Sequence, residues 1–473
     1  MLLRLISGEL RHRPGRSALL LSGYALGVAV MVVLLAVGEA MLAQSRDQGL
    51  LGGGDLVMVP AGVSTEVIRA GGPGTLFIGL DRARFLQRVL LESERAREDY
   101  GVVAASPVLD DRRLEIVAGG QRFVGLATGE IPGRARAVGG DVPLLAGSWE
   151  DDAASRRFVE PTAAELYREM DAFHLPTGEA ARDSTWAEWH YFNVVLDDER
   201  WIYLTLAVGG ALATEDGWGG QLLLTVREPR GHRAVTRSWP AAEVAFDTTS
   251  PDLRFGREAS VTVTDEGRYR VRAEAEGHRL DFVLDPSPGR YLPPTDLGGE
   301  GLISGYVAPV LHGRVEGTLC LPTCEEVAGV TGYHDHNWGV WRDVSWEWGA
   351  ASDETTSLLY GVVRPPEGGD ESLFVYLVDE RGPIGIYRPA EMQYLETERR
   401  TVDGIALDVP IRLGFEDARR GLSVEIDVTA VNVTDMGREV RPYFLQMRGT
   451  ATVRTPGRVD RLPGFFETYL ERP

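Results

Sequence analysis

Short runs in which apolar and polar positions alternate fill the C-terminal part of this chain. Trp189–Leu196, Trp201–Val208, Gln221–Arg227, Ser260–Thr264 and Tyr269–Ala275 each read as a strand, with turn residues between them. The pattern resumes in Ser357–Val363, Leu373–Val378, Ile405–Leu413, Leu422–Val431 and Tyr443–Val453. Many short strands at this spacing predict a mainly β chain, a sandwich or barrel, and residues 186–473 exceed one small barrel. Two are therefore predicted, over 186–325 and 326–473. Upstream the period changes. Phe85, Leu86, Val89 and Leu90 fall on one helical face within Asp81–Glu98, and short strands follow at Val102–Pro107, Leu114–Val117 and Phe123–Ala127. With a strand at Asp55–Pro60 between glycine-rich turns, residues 44–160 read as a small α+β segment. A polar linker, 161–185, carries a short helix opening at Pro161.

The N-terminus sets the location. Ala18–Gly38 holds no charged residue, and at about 1.5 Å per residue it is long enough for the roughly 30 Å hydrocarbon core. Arg4, Arg11, Arg13 and Arg16 precede it and Glu39 follows, so the positive-inside rule puts the leader, 1–16, in the cytoplasm. Residues 17–43 are the predicted transmembrane helix, a single pass with the bulk outside the cytoplasm. A cleaved signal peptide is the competing reading; Ala36-Val37-Gly38 and Ala40-Met41-Leu42 are poor cleavage sites for it, while Ala43 keeps it open. The net charge of −21 argues against nucleic acid as a partner. Cys320 and Cys324 can pair in an oxidising compartment if the chain turns at Pro322; zinc ligation with His334 and His336, or free thiols, are the other options.

Chemistry concentrates in Tyr333-His334-Asp335-His336-Asn337-Trp338-Gly339. On a strand, His334, His336 and Trp338 share one face, and Asp335 and Asn337 the other. So polar a strand beside Trp338, Trp341, Trp346 and Trp348 is not plain core: each buried imidazole or carboxylate needs a partner or a cavity. In Glu188-Trp189-His190-Tyr191, Glu188 and His190 share one face, and Trp189 and Tyr191 the other. His190 can complete a three-histidine metal site with His334 and His336 only if the fold brings them together, which spacing does not show. No metal and no cofactor is assigned.

Two motifs give the chain a family resemblance. Glu188-Trp189-His190-Tyr191-Phe192-Asn193 and Gly332-Tyr333-His334-Asp335-His336-Asn337-Trp338-Gly339 resemble the signatures of the CrtC/AttH-like lipocalin-type proteins, which include carotenoid 1,2-hydratase. The resemblance spans about Phe173 to the C-terminus and implies two consecutive lipocalin-like barrels. It also implies addition of water to an isoprenoid double bond. Asp335 would be the acid, His336 would hold the water or take its proton, and Trp338 and Tyr360 would face the cation. Glu188, Trp189, His190, Tyr191, His334, Asn337 and Trp338 would line the ligand site. The chain departs from the pattern at His190, in place of a second tryptophan, and at Val362, where the family has an acid. The bland alternative is architectural, with Asp335 joining the barrels and Trp338 plugging one.

A second resemblance, over about Met1 to Trp149, is to the first membrane helix and periplasmic start of a MacB/FtsX-type permease. It rests on Arg13-Pro14-Gly15-Arg16-Ser17, Gly23 to Ala29, Asp55 to Pro60 and Ser106-Pro107-Val108-Leu109. The family's other membrane helices are missing, so it implies a tether and a docking surface. Together these features predict a carrier of an apolar lipid or isoprenoid beside an ABC-type exporter, anchored in a bacterial inner membrane with its bulk periplasmic. The alternatives are an isoprenoid hydratase, isomerase or cyclase, and a protein-binding adaptor.

Overall fold

The computed structural model describes residues 15, 22–25, 27–33, 56, 58, 80–139, 148, 150–214, 217–229, 231–296, 304–321, 323–342, 344–364, 373–402, 405–435 and 443–470. It divides into two compact units, one of residues 1–78 and 104–155, the other of 79–103 and 156–473. The α+β segment expected at 44–160 is thus shared between them.

In the smaller unit, Val108–Ala118 and Gln121–Glu130 form an antiparallel hairpin. Its turn is Gly119-Gly120, both at positive φ, which suits a two-residue hairpin loop. The helix Pro132–Ala137 follows, and Gly133 N–H donates to Asp151 at 2.6 Å. The strand expected at Val102–Pro107 is irregular; pairing begins only at Val108, past Pro107, which has no N–H to donate. Asp55–Pro60 falls almost wholly outside the described residues, as does most of 17–43, where residues 22–25 and 27–33 are helical. No helix of the described residues is long and apolar enough to cross a membrane.

The larger unit is mainly β. Twelve antiparallel strands from Trp186–Val195 to Cys324–Val340 make one nearly closed sheet, and nine from Ser345–Ser352 to Arg458–Leu470 make a second. The division expected at 325/326 falls inside the first sheet. Cys324–Val340 pairs with both Ser304–Cys320 and Trp186–Val195, so the sheets part after Val340. Two barrels were the expectation; in the second sheet the edge strands Gly382–Tyr387 and Gln393–Val402 are not paired with each other. Cys320 and Cys324 face each other across the hairpin and are joined as a disulfide.

Helices complete this unit. The helix predicted over Asp81–Glu98 is two, Leu80–Glu92 and Glu94–Tyr100, because the Ser93 side chain accepts from Ala96 N–H and restarts the helix. The linker helix is Ala163–Met170, opened by a capping box in which Thr162 and Glu165 satisfy each other's backbone N–H. It buries Tyr167 and Met170 against the first sheet's core and ends at Asp171, which is fully buried. A third apolar cluster, with Tyr191, Tyr203, Tyr306, Tyr333, Trp348 and Phe465, joins the two sheets.

Candidate functional site

The strand Cys324–Val340 carries a different polar cluster on each face, as its alternation predicts. Towards the first sheet's interior, register places His336 opposite His190, Trp338 opposite Glu188, and His334 opposite Phe192. Directly opposed residues on neighbouring antiparallel strands have their Cβ atoms about 5 Å apart, so the two imidazoles meet, with ring centroids 4.3 Å apart. Asp171 enters from the end of the linker helix and lies among them. Its Oδ1 is 2.9 Å from His336 Nδ1, and its Oδ2 is 3.0 Å from His334 Nε2. His334 Nδ1 donates to the Tyr191 carbonyl at 3.0 Å, since a carbonyl can only accept. His190 Nε2 donates in the same way to the Pro251 carbonyl at 2.9 Å. Glu188 accepts from His174 N–H at 2.5 Å, and its Oε1 lies 3.0 Å from His336 Nε2, too far off the N–H axis for a well-aligned hydrogen bond. Phe173 packs edge-on against His190 and His336, and His174 stacks on Trp338 at 3.7 Å.

Burial and charge oppose each other here. Burial alone would raise Asp171, but the neighbouring His334 and the hydrogen bonds of His334 and His336 hold it well below the usual carboxylate range. Burial likewise works against the His336 cation, yet Asp171 and Glu188 raise it to about 10. His190 is pushed well below its ordinary value, first by burial and then by the charge of His336.

The opposite face meets the second sheet. Asp335 Oδ2 accepts from Tyr333 at 2.8 Å and from Tyr306 at 3.3 Å, while Oδ1 accepts from the Asn337 amide at 2.8 Å. The two tyrosine hydroxyls are 2.6 Å apart, and Trp348 Nε1 donates to Tyr306 at 3.1 Å. Nearby, Glu467 accepts from Tyr191 at 2.7 Å and from Trp346 at 3.1 Å. Burial lifts Asp335 well above the carboxylate range against the pull of the tyrosines, and the charge of Glu467 adds to the rise. Burial also raises Glu467, to about 7. Beside Tyr333 a cavity of about 40 Å³, lined by Asn193, Arg448 and Phe465 among others, is large enough for water.

Glu188, His190, His334, His336 and Trp338 therefore converge at one cluster, and Tyr191, Asp335 and Asn337 at the other. Trp189 packs at a tilt against Trp341, with centroids 4.7 Å apart. Tyr360 is buried in the second sheet's core against Phe415 and Phe466, and Asp335 and His336 are not among its ring or charge partners. Sequence reasoning missed Asp171, His174, Tyr306 and Glu467. Asp171 left one trace: an acidic residue directly after an amphipathic helix that opens with a capping box.

No protein-family model matches the chain, and no curated protein matches it by sequence. Solved structures similar to it include a candidate AttH protein from Nitrosomonas europaea, at 17% identity and a TM-score of 0.47, over 63% of this chain and 98% of that one. Kievitone hydratase from Nectria haematococca is similar at 10% identity and a TM-score of 0.44, over 64% and 98%. CghA is similar at 12% and 0.44, over 64% and 94%. Nothing in these comparisons bears on the permease-like reading of the N-terminus.

Proposed function

We propose that this chain is a lipocalin-like acid–base catalyst acting on a double bond of an apolar isoprenoid-like molecule, with Asp335 as proton donor. The observation that carries this is Asp335 itself: a fully buried carboxyl held by two tyrosine hydroxyls and an amide, at the seam of two sheets. Protonating an isolated alkene needs a carboxylic acid that keeps its proton at neutral pH, and desolvation supplies one. Trp348 and Tyr333, packed edge-to-face with ring centroids 5.5 Å apart, put aromatic rings, the groups that stabilise a cation, beside this carboxyl. The water-sized cavity at Tyr333 offers a place for the nucleophile of a hydration. Isomerisation or cyclisation would use the same acid without the water.

The test is hydrogen exchange. Incubated in D₂O with a panel of isoprenoid alkenes, the protein should introduce deuterium at a former vinylic carbon, read by mass spectrometry. Asp335→Asn should lower the rate about 10²–10⁴-fold, the usual contribution of a general acid, and leave the far-UV circular dichroism intact. An equal rate in the variant, or no exchange by the parent, would remove Asp335 from this role.

A second reading is favoured by one observation. Val28, Val30, Met31, Val32 and Val33 are exposed on described helical turns, as a segment that meets lipid would have them. On this reading the chain is anchored at a membrane and carries a lipid or isoprenoid beside ABC transporter subunits. Full-length protein should then float with lipid vesicles and yield a bound apolar molecule on extraction; failure of both rejects it.

A further inference from the structure

The cluster built around Asp171 contains buried polar atoms that nothing in the fold satisfies. Glu188 Oε2, His190 Nδ1 and His174 Nδ1 are buried without a hydrogen-bond partner, and His336 Nε2 has only the poorly aligned Glu188 Oε1 at 3.0 Å. Native interiors rarely leave one such atom unpaired, and His190 Nδ1 is the one that faces Asp171. The other ring nitrogen, Nε2, carries the proton given to the Pro251 carbonyl, so Nδ1 presents a lone pair. That lone pair is 3.9 Å from Asp171 Oδ2, beyond hydrogen-bond reach, so two acceptors face each other across a gap. A cation between them turns this repulsion into attraction.

We infer that Asp171, His190 and His336 form a binding site for one divalent late first-row transition-metal ion. Their donor atoms all lie within 4.8 Å of one another. Two ligands opposite each other on an ion with bonds of about 2.1 Å are about 4.2 Å apart, so side-chain shifts of a few tenths of an ångström close the set. Asp171 Oδ1 and His336 Nδ1, 2.9 Å apart, already have the spacing of two ligands at a right angle. The ion replaces the proton that otherwise lies between them, which makes its binding pH-dependent.

The surrounding shell is of the kind metal sites use. A ligating histidine normally gives its other N–H to a carbonyl or carboxylate. Here His190 gives its own to Pro251, and His336 Nε2 faces Glu188. His334 ties Asp171 to the Tyr191 carbonyl, holding the ligand carboxylate in place. Among the described residues neither Asp171 nor Glu188 is paired with an arginine; histidines face both, and the buried Tyr269 hydroxyl also faces Asp171. Two imidazoles and one carboxylate suit Fe(II), Co(II) or Zn(II), and no cysteine is near to favour a softer ion.

The site is separate from Asp335, which projects from the other face of the same strand, so each proposal can fail alone. Full-length protein purified without chelators should contain about one such ion per chain. Protein stripped of metal should develop ligand-field absorption on titration with Co(II), saturating at one equivalent. Excess Zn(II) should raise its Tm by several degrees, as binding to the folded state alone requires. His190→Gln should weaken Co(II) binding at least 100-fold, and Glu188→Gln about 10-fold through the outer shell. Asp335→Asn should bind Co(II) like the parent. If the parent protein carries no ion and Co(II), Zn(II), Fe(II) and Mn(II) change neither its spectrum nor its Tm, the cluster is a proton-bridged network and the inference is wrong. Those measurements need no variant to fold. Unchanged Co(II) affinity in His190→Gln would also overturn the assignment.

Discussion

Asp171 and Asp335 are both fully buried, yet their surroundings drive them in opposite directions. Asp171 faces imidazoles that stabilise its anion, whereas Asp335 faces neutral hydroxyls and the charge of Glu467, leaving desolvation dominant. Glu467 gives this a measurable consequence. Its folded value of about 7 lies above the ordinary 4.5, so the folded state holds the proton more tightly. The stability it contributes is complete below pH 4.5 and is lost as pH rises through 7, by up to a few kcal/mol. Denaturant unfolding at a series of pH values should show that decline, and Glu467→Gln should flatten it; an unchanged slope would count against this assignment. Tyr191→Phe removes a donor from the Glu467 carboxyl and should cost about 1–3 kcal/mol in the same assay. Which side chains share a face of Tyr333–Gly339 was legible, because strand alternation is local. The partners Asp171 and Glu467 were not, because long-range sheet register and the docking of a separate helix bring them in.

At the scale of elements, the strand Cys324–Val340 is the shared wall of both clusters, and its neighbour is shaped to fit it. Gly305 lies opposite Trp338 in the pairing with Ser304–Cys320, and a Cβ there would overlap the indole ring. Glycine thus leaves room for the ring that stacks on His174 and closes the histidine cluster. Gly305→Ala should cost about 1–3 kcal/mol and change the near-UV circular dichroism of the tryptophans. A variant as stable as the parent with the same spectrum would show that Trp338 is not held in this way. Strands such as Tyr269–Ala275 coincide with their predicted spans, because turn residues bracket alternating runs. The first sheet's limit was misplaced because Cys324–Val340 follows a tight hairpin. Only its pairing with Trp186–Val195, far back in the chain, assigns it to that sheet.

Within the larger unit, the two sheets share one apolar cluster in which Tyr203 from the first donates to the Met447 carbonyl of the second. Buried Asp335, Tyr333 and Glu467 would meet water if the sheets parted, so neither sheet has a complete core alone. The larger unit, 79–103 with 156–473, should therefore unfold in one calorimetric transition; two resolved transitions within it would mean independent domains. That all-β architecture was legible from strand spacing, whereas the contact between sheets was not, since it depends on which faces meet. Both clusters hang on this arrangement, and the central claim is that it keeps Asp335 neutral. Infrared difference spectroscopy between the parent and Asp335→Asn, at about pH 8 where Glu467 has largely ionised, tests that directly. A protonated-carboxyl C=O band present in the parent and missing from the variant is the predicted result. A carboxylate band in its place would mean that Asp335 is charged in the folded protein and is not the proton donor.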